Sequence, residues 1–249
     1  MKIAIISDIH SNFEAFEKVL DDIQQSIVDK IISLGDNIGY GADPEDIIQA
    51  IKKNRIESVL GNHELACIKE DYLTTFNENA KKALLINKKL LSVESLEYIK
   101  TFKDYIIYDK CRFVHGLPPD SITRYIQHES KTDLSKIMQT LPEKISFVGH
   151  THHLGLYEYC KGQINIAQLD KKKLNLDNNN SYIVNTGSVG QPRDNSIYAK
   201  YIIWDSRAMT IEPRFVTYDN KKAAEKIIKA GIPEIYSQRV EKDTQMKGK

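Results

Sequence analysis

The first 61 residues alternate short unbroken apolar runs with longer stretches in which apolar residues recur every three or four positions. Ile3-Ala-Ile-Ile6, Lys30-Ile-Ile-Ser-Leu34 and Ile56 to Leu60 have the length and β-branched content of buried strands. Phe13, Phe16, Leu20 and Ile23 lie on one face of a predicted helix, for which Ser11 and Glu14 have capping-box spacing. Asp43 followed by Pro44 predicts the start of a second helix, whose inner face carries Ile47, Ile48 and Ile51. Strands joined by helical crossovers predict an α/β fold, and this pattern taken alone predicts a parallel, doubly wound sheet.

Residues 66–105 hold two amphipathic segments, 79–91 and 92–102, with no strand between them, and are expected to form a helical insertion or cap. Lys81, Lys82, Lys88 and Lys89 are expected on its solvated face. Strands return at Cys111–Val114, Ile145–Val148 and Tyr182–Val184. Lys161-Gly162 is expected to turn a hairpin within a polar excursion over 155–181. Alternation over Tyr198–Trp204 and Ile211–Val216 predicts antiparallel edge strands, the latter marked by Pro213. Asp219 is expected to cap a helix ending near Gly231. The expected organisation is one domain over 1–239 and a polar C-terminal tail over 240–249.

Composition narrows the function classes. Lys plus Arg at 35 against Asp plus Glu at 34 gives a net charge of +1, which offers no overall field for nucleic acid or an anionic membrane. No apolar run reaches membrane-spanning length, and the N-terminus reads directly into a strand without a leader, so a cytoplasmic location is expected. The three cysteines are far apart and form no CxxC pair, which suits a reducing compartment.

The strands share one chemical feature: most end in side chains of metal-ligand type. The first ends in Asp8-Ile-His10, the second in Gly35-Asp36-Asn37, the third in Gly61-Asn62-His63-Glu64. Later ones end in His115-Gly116 and Gly149-His150-Thr-His152. Asp8 and His10, two positions apart on an extended chain, are expected to point the same way. Six of the seven histidines lie at or beside these turns. Ligands in α/β sheets bind beyond the carboxyl ends of strands. The set is nitrogen and oxygen without thiolate, which suits manganese, iron, zinc or nickel. It is too large for a single ion that must also hold a substrate, so two divalent ions bridged by a carboxylate are expected. Two such ions against Asp8 and Asp36 leave a charge of about +2, a centre that draws phosphate and lowers the pKa of water. Phosphoester hydrolysis is the reaction class this predicts.

In this order, Asp8-x-His10, Gly35-Asp36, Gly61-Asn-His-Glu64, His115-Gly116 and Gly149-His-Thr-His152 resemble the motifs of the calcineurin-like metallophosphoesterases. Gly35-Asp-Asn-Ile-Gly-Tyr-Gly-Ala-Asp-Pro44, Asn185-Thr-Gly-Ser-Val-Gly-Gln-Pro-Arg-Asp194 and Ala230-Gly-Ile-Pro233 extend the likeness over nearly the whole chain. They are similar to the small prokaryotic branch related to diadenosine tetraphosphatases. The resemblance implies a four-layer αββα sandwich of two mixed β-sheets flanked by helices, in place of the parallel sheet. It implies one metal on Asp8, His10, Asp36 and His152 and another on Asp36, Asn62, His115 and His150. His63 would be the catalytic residue, as a general acid or by stabilising charge on the phosphate.

The substrate implied is a small phosphate mono- or diester, including nucleotide-type molecules. The two arginines usual in phosphoprotein phosphatases and symmetrical dinucleoside tetraphosphatases are missing from Gly35–Tyr40 and Gly61–Cys67, which disfavours both activities as alternatives. Arg193 is a candidate phosphate ligand or a salt-bridge partner of Asp194 or another acid. Asn12 is a candidate phosphate-binding side chain or a helix cap. Tyr40 and Tyr125 either flank the substrate or pack as core aromatics, and His128 and His153 are expected to be ordinary residues. A phosphoesterase-like scaffold that binds a protein partner is the alternative of a different class, against which the complete ligand set argues.

Overall fold

Strand β1 (Lys2–Ile6) is buried on both faces, and its alternation decides the layering. Ile3 and Ile5 face one apolar cluster while Ala4 and Ile6 face another, so a layer must cover each side of the sheet. The computed structural model describes residues 1–194 and 196–241. From β1 the chain runs through α1 (Phe13–Ser26), β2 (Lys30–Ser33), α2 (Pro44–Lys53), β3 (Glu57–Ser58), α3 (Asn62–Ile68), α4 (Glu78–Leu90) and α5 (Val93–Ile99). It continues through β4 (Tyr105–Tyr108), β5 (Cys111–Val114), α6 (Lys131–Thr140), β6 (Ile145–Val148), β7 (Leu154–Cys160), β8 (Gln163–Gln168), β9 (Leu174–Asn175) and β10 (Ser181–Thr186). The last elements are β11 (Ala199–Asp205), β12 (Thr210–Val216), α7 (Asn220–Lys229) and α8 (Ile235–Glu241).

Two six-stranded mixed sheets result, ordered β3-β2-β1-β11-β12-β9 and β4-β5-β6-β10-β7-β8. Between them lies a shared core, in which Ile3, Ile5, Ile32 and Leu34 of the first sheet meet Phe113, Phe147 and Val184 of the second. The outer face of the first sheet is covered by α1, α2, α4 and α7 through Phe16, Val19, Ile47, Ile51, Leu84 and Ile227. Helix α6 covers the second through Leu134 and Met138. This is the αββα sandwich implied by the motif resemblance. The all-parallel sheet suggested by apolar pattern alone is overturned: only β3-β2-β1 and β5-β6-β10 run parallel. A hydrophobic run marks a strand but does not specify its hydrogen-bonding partner.

Three other expectations change. Strand β11 is central rather than at an edge, because it closes the open side of β1 in the register Ile5↔Ile202. Pro213 lies where β12 has lost its outer partner, since β9 pairs only with Thr210 and Ile211. The N-cap of α1 is Asn12, whose Oδ1 accepts from Ala15 N at 3.1 Å. Ser11 instead donates to Asn87 Oδ1, and Glu14 pairs with Lys226 and Lys222 of α7. Helix α8 continues through Val240, which is buried, and Glu241, where the sequence pattern placed the start of a tail. The remainder of that tail, 242–249, lies outside the described residues. Residues 66–105 contain the end of α3, a 3₁₀ turn over Glu70–Thr75, and helices α4 and α5.

Candidate metal centre

All the metal-type side chains follow strands of the two parallel groups, so the fold brings them together at one end of the sandwich. Asp8 and His10 follow β1, Asp36 follows β2, Asn62 and His63 open α3 beyond β3. His115 follows β5, and His150 and His152 follow β6. Hydrogen bonds between successive loops hold these ends in register: Asp8 N to Gly35 O, His10 N to Asp36 O, and Gly149 N to His115 O, all within 3.0 Å.

The convergence of Asp8 and His10 does not come from strand alternation. Asp8, His10, Asp36, His150 and His152 all have positive φ, between 49° and 65°. Side chains rarely adopt this left-handed region, which costs about 1 kcal/mol or more per residue. The surrounding backbone bonds enforce it, and each residue turns its side chain toward a common centre. Two glycines allow the loops to approach so closely. A Cβ on Gly61 would lie 2.1 Å from Asp36 Oδ1, and one on Gly149 would lie 1.9 Å from Ser7 Oγ.

Within the centre, His152 Nε2 lies 3.2 Å from Asp8 Oδ1, and His115 Nε2 lies 3.3 Å from Asp36 Oδ2. Asp36 Oδ2 is also 3.8 Å from His10 Nε2 and 3.9 Å from His63 Nε2, which makes this oxygen the middle of the cluster. Asn62 Oδ1 lies 3.2 Å from His115 Nε2. Three compact groups capable of holding an ion emerge: Asp8, His10 and His152; His10, Asp36 and His63; and Asp36, His115 and His150.

Two contacts within these groups call for a cation. His10 Nε2 faces His152 Nε2 at 3.1 Å, while the outer nitrogen of each ring lies against a backbone carbonyl, Ile38 O and Gln191 O. His115 Nε2 likewise faces His150 Nδ1 at 3.1 Å, with outer nitrogens on Leu34 O and Thr123 O. A carbonyl accepts only from N–H, so the neutral tautomers present lone pair to lone pair at both places. Asp8 adds a buried carboxylate oxygen, Oδ1, without a hydrogen-bond donor, while its Oδ2 accepts from Ser7 Oγ and His150 N. Inward lone pairs beside two carboxylates, with outer nitrogens fixed by carbonyls, suit a divalent metal.

The electrostatics agree. Burial raises the carboxyl groups of Asp8 and Asp36, but the surrounding histidines outweigh it and hold both well below the usual carboxylate range. Burial opposes charge on His115, yet Asp36 prevails and raises its pKa to about 9, so a proton can supply part of the positive charge required. Burial drives His150 down to about 3, reinforced by His115, and His152 down to about 4, reinforced by Arg193. Burial also pushes His63 well below the usual histidine range, so its ring is neutral.

Three positioning residues escaped the sequence reading. Glu64 is fully buried, and its carboxylate accepts from the backbone N–H groups of Asp36, Asn37, Ile38 and Gly61 at 2.6–3.2 Å. The Gly61-Asn-His-Glu64 motif displayed it, but only the fold shows that it gathers the loop of Asp36. Asn87, on the buried face of α4, accepts from Ser11 Oγ and Gly39 N and donates to Gly41 O. No local signal separated it from a packed helix residue. Asn185 similarly supports the His150 loop through Gly149 O and Thr151 Oγ1.

The candidate substrate residues divide. Asn12 spends its amide on the cap of α1 and on Gly190 O, 2.9 Å away. Asp194 pairs with Lys200 rather than with Arg193. The Arg193 guanidinium faces Tyr40, Tyr125 and His152: burial raises both tyrosines against its opposing charge and lowers His152 with its help, and its Nε is buried without a partner. Tyr40 packs between His10, His63 and Tyr236 of α8, each 4.5–4.8 Å from it or its neighbour. Tyr125 stacks on His150. His128 and His153 are exposed. Among the described residues no helix is long and apolar enough to cross a membrane.

Comparison with known proteins places this arrangement in a lineage. A family model described as the calcineurin-like phosphoesterase superfamily domain matches residues 1–209. An uncharacterized protein of Methanocaldococcus jannaschii is 35% identical over 243 residues, 96% of each chain. A crystal structure of a metallophosphoesterase from Sphaerobacter thermophilus superposes with a TM-score of 0.84 and 32% identity, over 96% of this chain and 98% of that one. A hypothetical protein from Pyrococcus horikoshii shares the fold, with a TM-score of 0.80 at 18% identity over 97% and 98% of the two chains. The chain belongs to the calcineurin-like phosphoesterase superfamily, and its buried aspartate and histidine clusters suit a metal-dependent phosphoesterase.

Proposed function

We propose that this protein is a dinuclear-metal phosphoesterase that hydrolyses phosphate mono- or diesters of small, including nucleotide-type, molecules in the cytoplasm. The observation that carries this reading is the pair of opposed histidine nitrogens, His10 with His152 and His115 with His150, on either side of Asp36. Two such places favour two ions. Asp8, His10, Asp36 and His152 would hold one, and Asp36, Asn62, His115 and His150 the other. The nitrogen and oxygen donors suit manganese, iron, zinc or nickel. The three unpaired cysteines suit the cytoplasm.

Bound divalent ions would supply Lewis acidity toward the phosphate oxygens and make hydroxide accessible at neutral pH. The chain's own residues do the rest. Asp36 spans the centre: its Oδ1 is fixed by His63 N at 2.9 Å, which leaves Oδ2 among His10, His63 and His115. Arg193 offers a planar fork to the non-bridging phosphate oxygens. In the reaction a water oxygen forms the new P–O bond, the ester P–O bond breaks, and its electron pair leaves on the ester oxygen. His63, neutral by burial, donates a hydrogen bond to that oxygen as charge develops there, and solvent completes its protonation. Asn12 serves this scheme by tying the turn after β1 to Gly190, with one amide N–H left for a phosphate oxygen.

The test combines metal analysis of freshly purified protein with manganese-dependent rates on an aryl monoester, an aryl diester and a dinucleoside tetraphosphate. About two ions per chain and turnover of at least one ester are expected. Metal-free protein with no turnover after addition of manganese or nickel would overturn the enzyme in favour of a binding scaffold.

A further inference from the structure

A cavity of about 250 Å³ opens directly off the metal centre, with Asn62 and His150 in its floor. One wall is the 3₁₀ turn and the residues after it, with Tyr72, Thr75 and Phe76; the other is Tyr125. Its geometry relative to the chemistry is specific. Phe76 meets His63 edge-on at 4.8 Å, and Tyr125 lies flat on His150 at 3.7 Å. The cavity therefore lies beside the candidate metal centre, and its Phe76 wall packs on His63, the residue proposed to face the departing oxygen. Its walls carry aromatic rings, and neither Tyr72 nor Thr75 packs into the core, as the 3₁₀ turn has no buried residue. A tyrosine left 38% exposed beside a catalytic cleft presents an unpartnered ring to whatever enters.

We propose that this cavity is the leaving-group subsite and takes one planar aromatic ring, a substituted benzene or a nucleobase, between the Tyr72–Phe76 wall and Tyr125. The inference rests on the phosphoesterase reading above and names the substrate class within it. Stacking on an aromatic face suits either source, because both present a π surface. The volume limits the occupant: sites for drug-sized ligands run to roughly 300–1,000 Å³, so this one admits a single ring system and not the second nucleoside of a dinucleotide.

The experiment uses the manganese-loaded enzyme with phenyl phosphate, a nucleoside 5′-monophosphate and glycerol phosphate, for wild type, Tyr72→Ala and Thr75→Trp. A second readout is saturation transfer by NMR from the metal-free protein to phenol and to adenosine. In Tyr72→Ala the ratio of aromatic to glycerol kcat/KM is expected to fall about tenfold, the worth of one ring contact. Thr75→Trp, which fills the cavity from its exposed rim, is expected to lower the same ratio and abolish saturation transfer. Transfer to phenol alone or adenosine alone identifies which aromatic class is taken. Equal loss on all three esters in both variants, or saturation transfer that survives Thr75→Trp, overturns the subsite. Ring binding by wild type that Thr75→Trp abolishes, with no hydrolysis of any ester by wild type, sustains the subsite and refutes the hydrolase.

Discussion

The two walls of the site are built on opposite principles. On the strand side every candidate ligand except the half-buried Asn62 is buried, five are in left-handed conformations, and Glu64, Asn87 and Asn185 bind the loops that carry them. On the helical side the turn Glu70–Thr75 has no buried residue, and its side chains bond mainly within the turn. The difference separates two requirements. Metal chemistry tolerates little displacement of its ligands, so the strand ends are overdetermined. Recognition of a leaving group requires a face, which a loosely anchored turn can supply and change without disturbing the centre.

The sharpest way to break this comparison is Asp36→Ala, because the Asp36 carboxylate lies between the two histidine pairs. Loss of several kcal/mol of charge stabilisation corresponds to at least about a thousandfold fall in kcat/KM. Metal content should fall in both places, and retention of two ions would remove Asp36 from the bridging position. His63→Ala should lower kcat about a hundredfold or more while leaving metal content intact, as expected for one lost donor to a developing oxyanion. Rates unchanged on every ester would end its catalytic role.

A smaller effect tests the claim that the loops, not only the ligands, are specified. Glu64→Gln exchanges two acceptor oxygens for one, and metal affinity measured by competition with a chelator should weaken about 10–100-fold. Unaltered affinity would mean that the loop of Asp36 holds itself. The smallest effect lies farthest from the site. Glu14 is buried, which raises its carboxyl, but Lys226 and Lys222 outweigh this and bring it below the usual value. A lowered folded-state value stabilises above the unfolded range near pH 4.3 and is lost as pH falls through the folded value. The melting difference between wild type and Glu14→Gln should therefore be largest at pH 7, at most about 1 kcal/mol given the partly exposed Lys226, and close below about pH 4. A gap independent of pH would refute the ion pair between α1 and α7.

Much of this organisation was legible in the chain. The apolar runs located β1, β2, β5, β6 and β10 to within a few residues, and the helical spacing located α1, α2 and α7 with Asp219 as its cap. Edge and centre were not legible: β11 looked like an edge strand because alternation reports burial of faces, not the presence of a neighbour. Nor was α8, whose Tyr236 and Val240 are only two apolar anchors in a charged segment, yet Tyr236 stacks on Tyr40 behind His10 and His63. Asn12 was legible as a helix cap or a phosphate ligand, but its bond to Gly190, 178 positions away, was not, because only tertiary packing brings the two together.

By itself the sequence determined which residues end which strands and that these ends carry nitrogen and oxygen ligands, because hydrophobic period and residue type are local properties. Only the tertiary structure decided that two sheets share the core, that the ligands converge through left-handed turns, and that a 3₁₀ turn supplies an aromatic wall. Those outcomes depend on pairings between distant segments, such as Ser188 Oγ on Asp8 O, 180 positions apart, which no local pattern encodes.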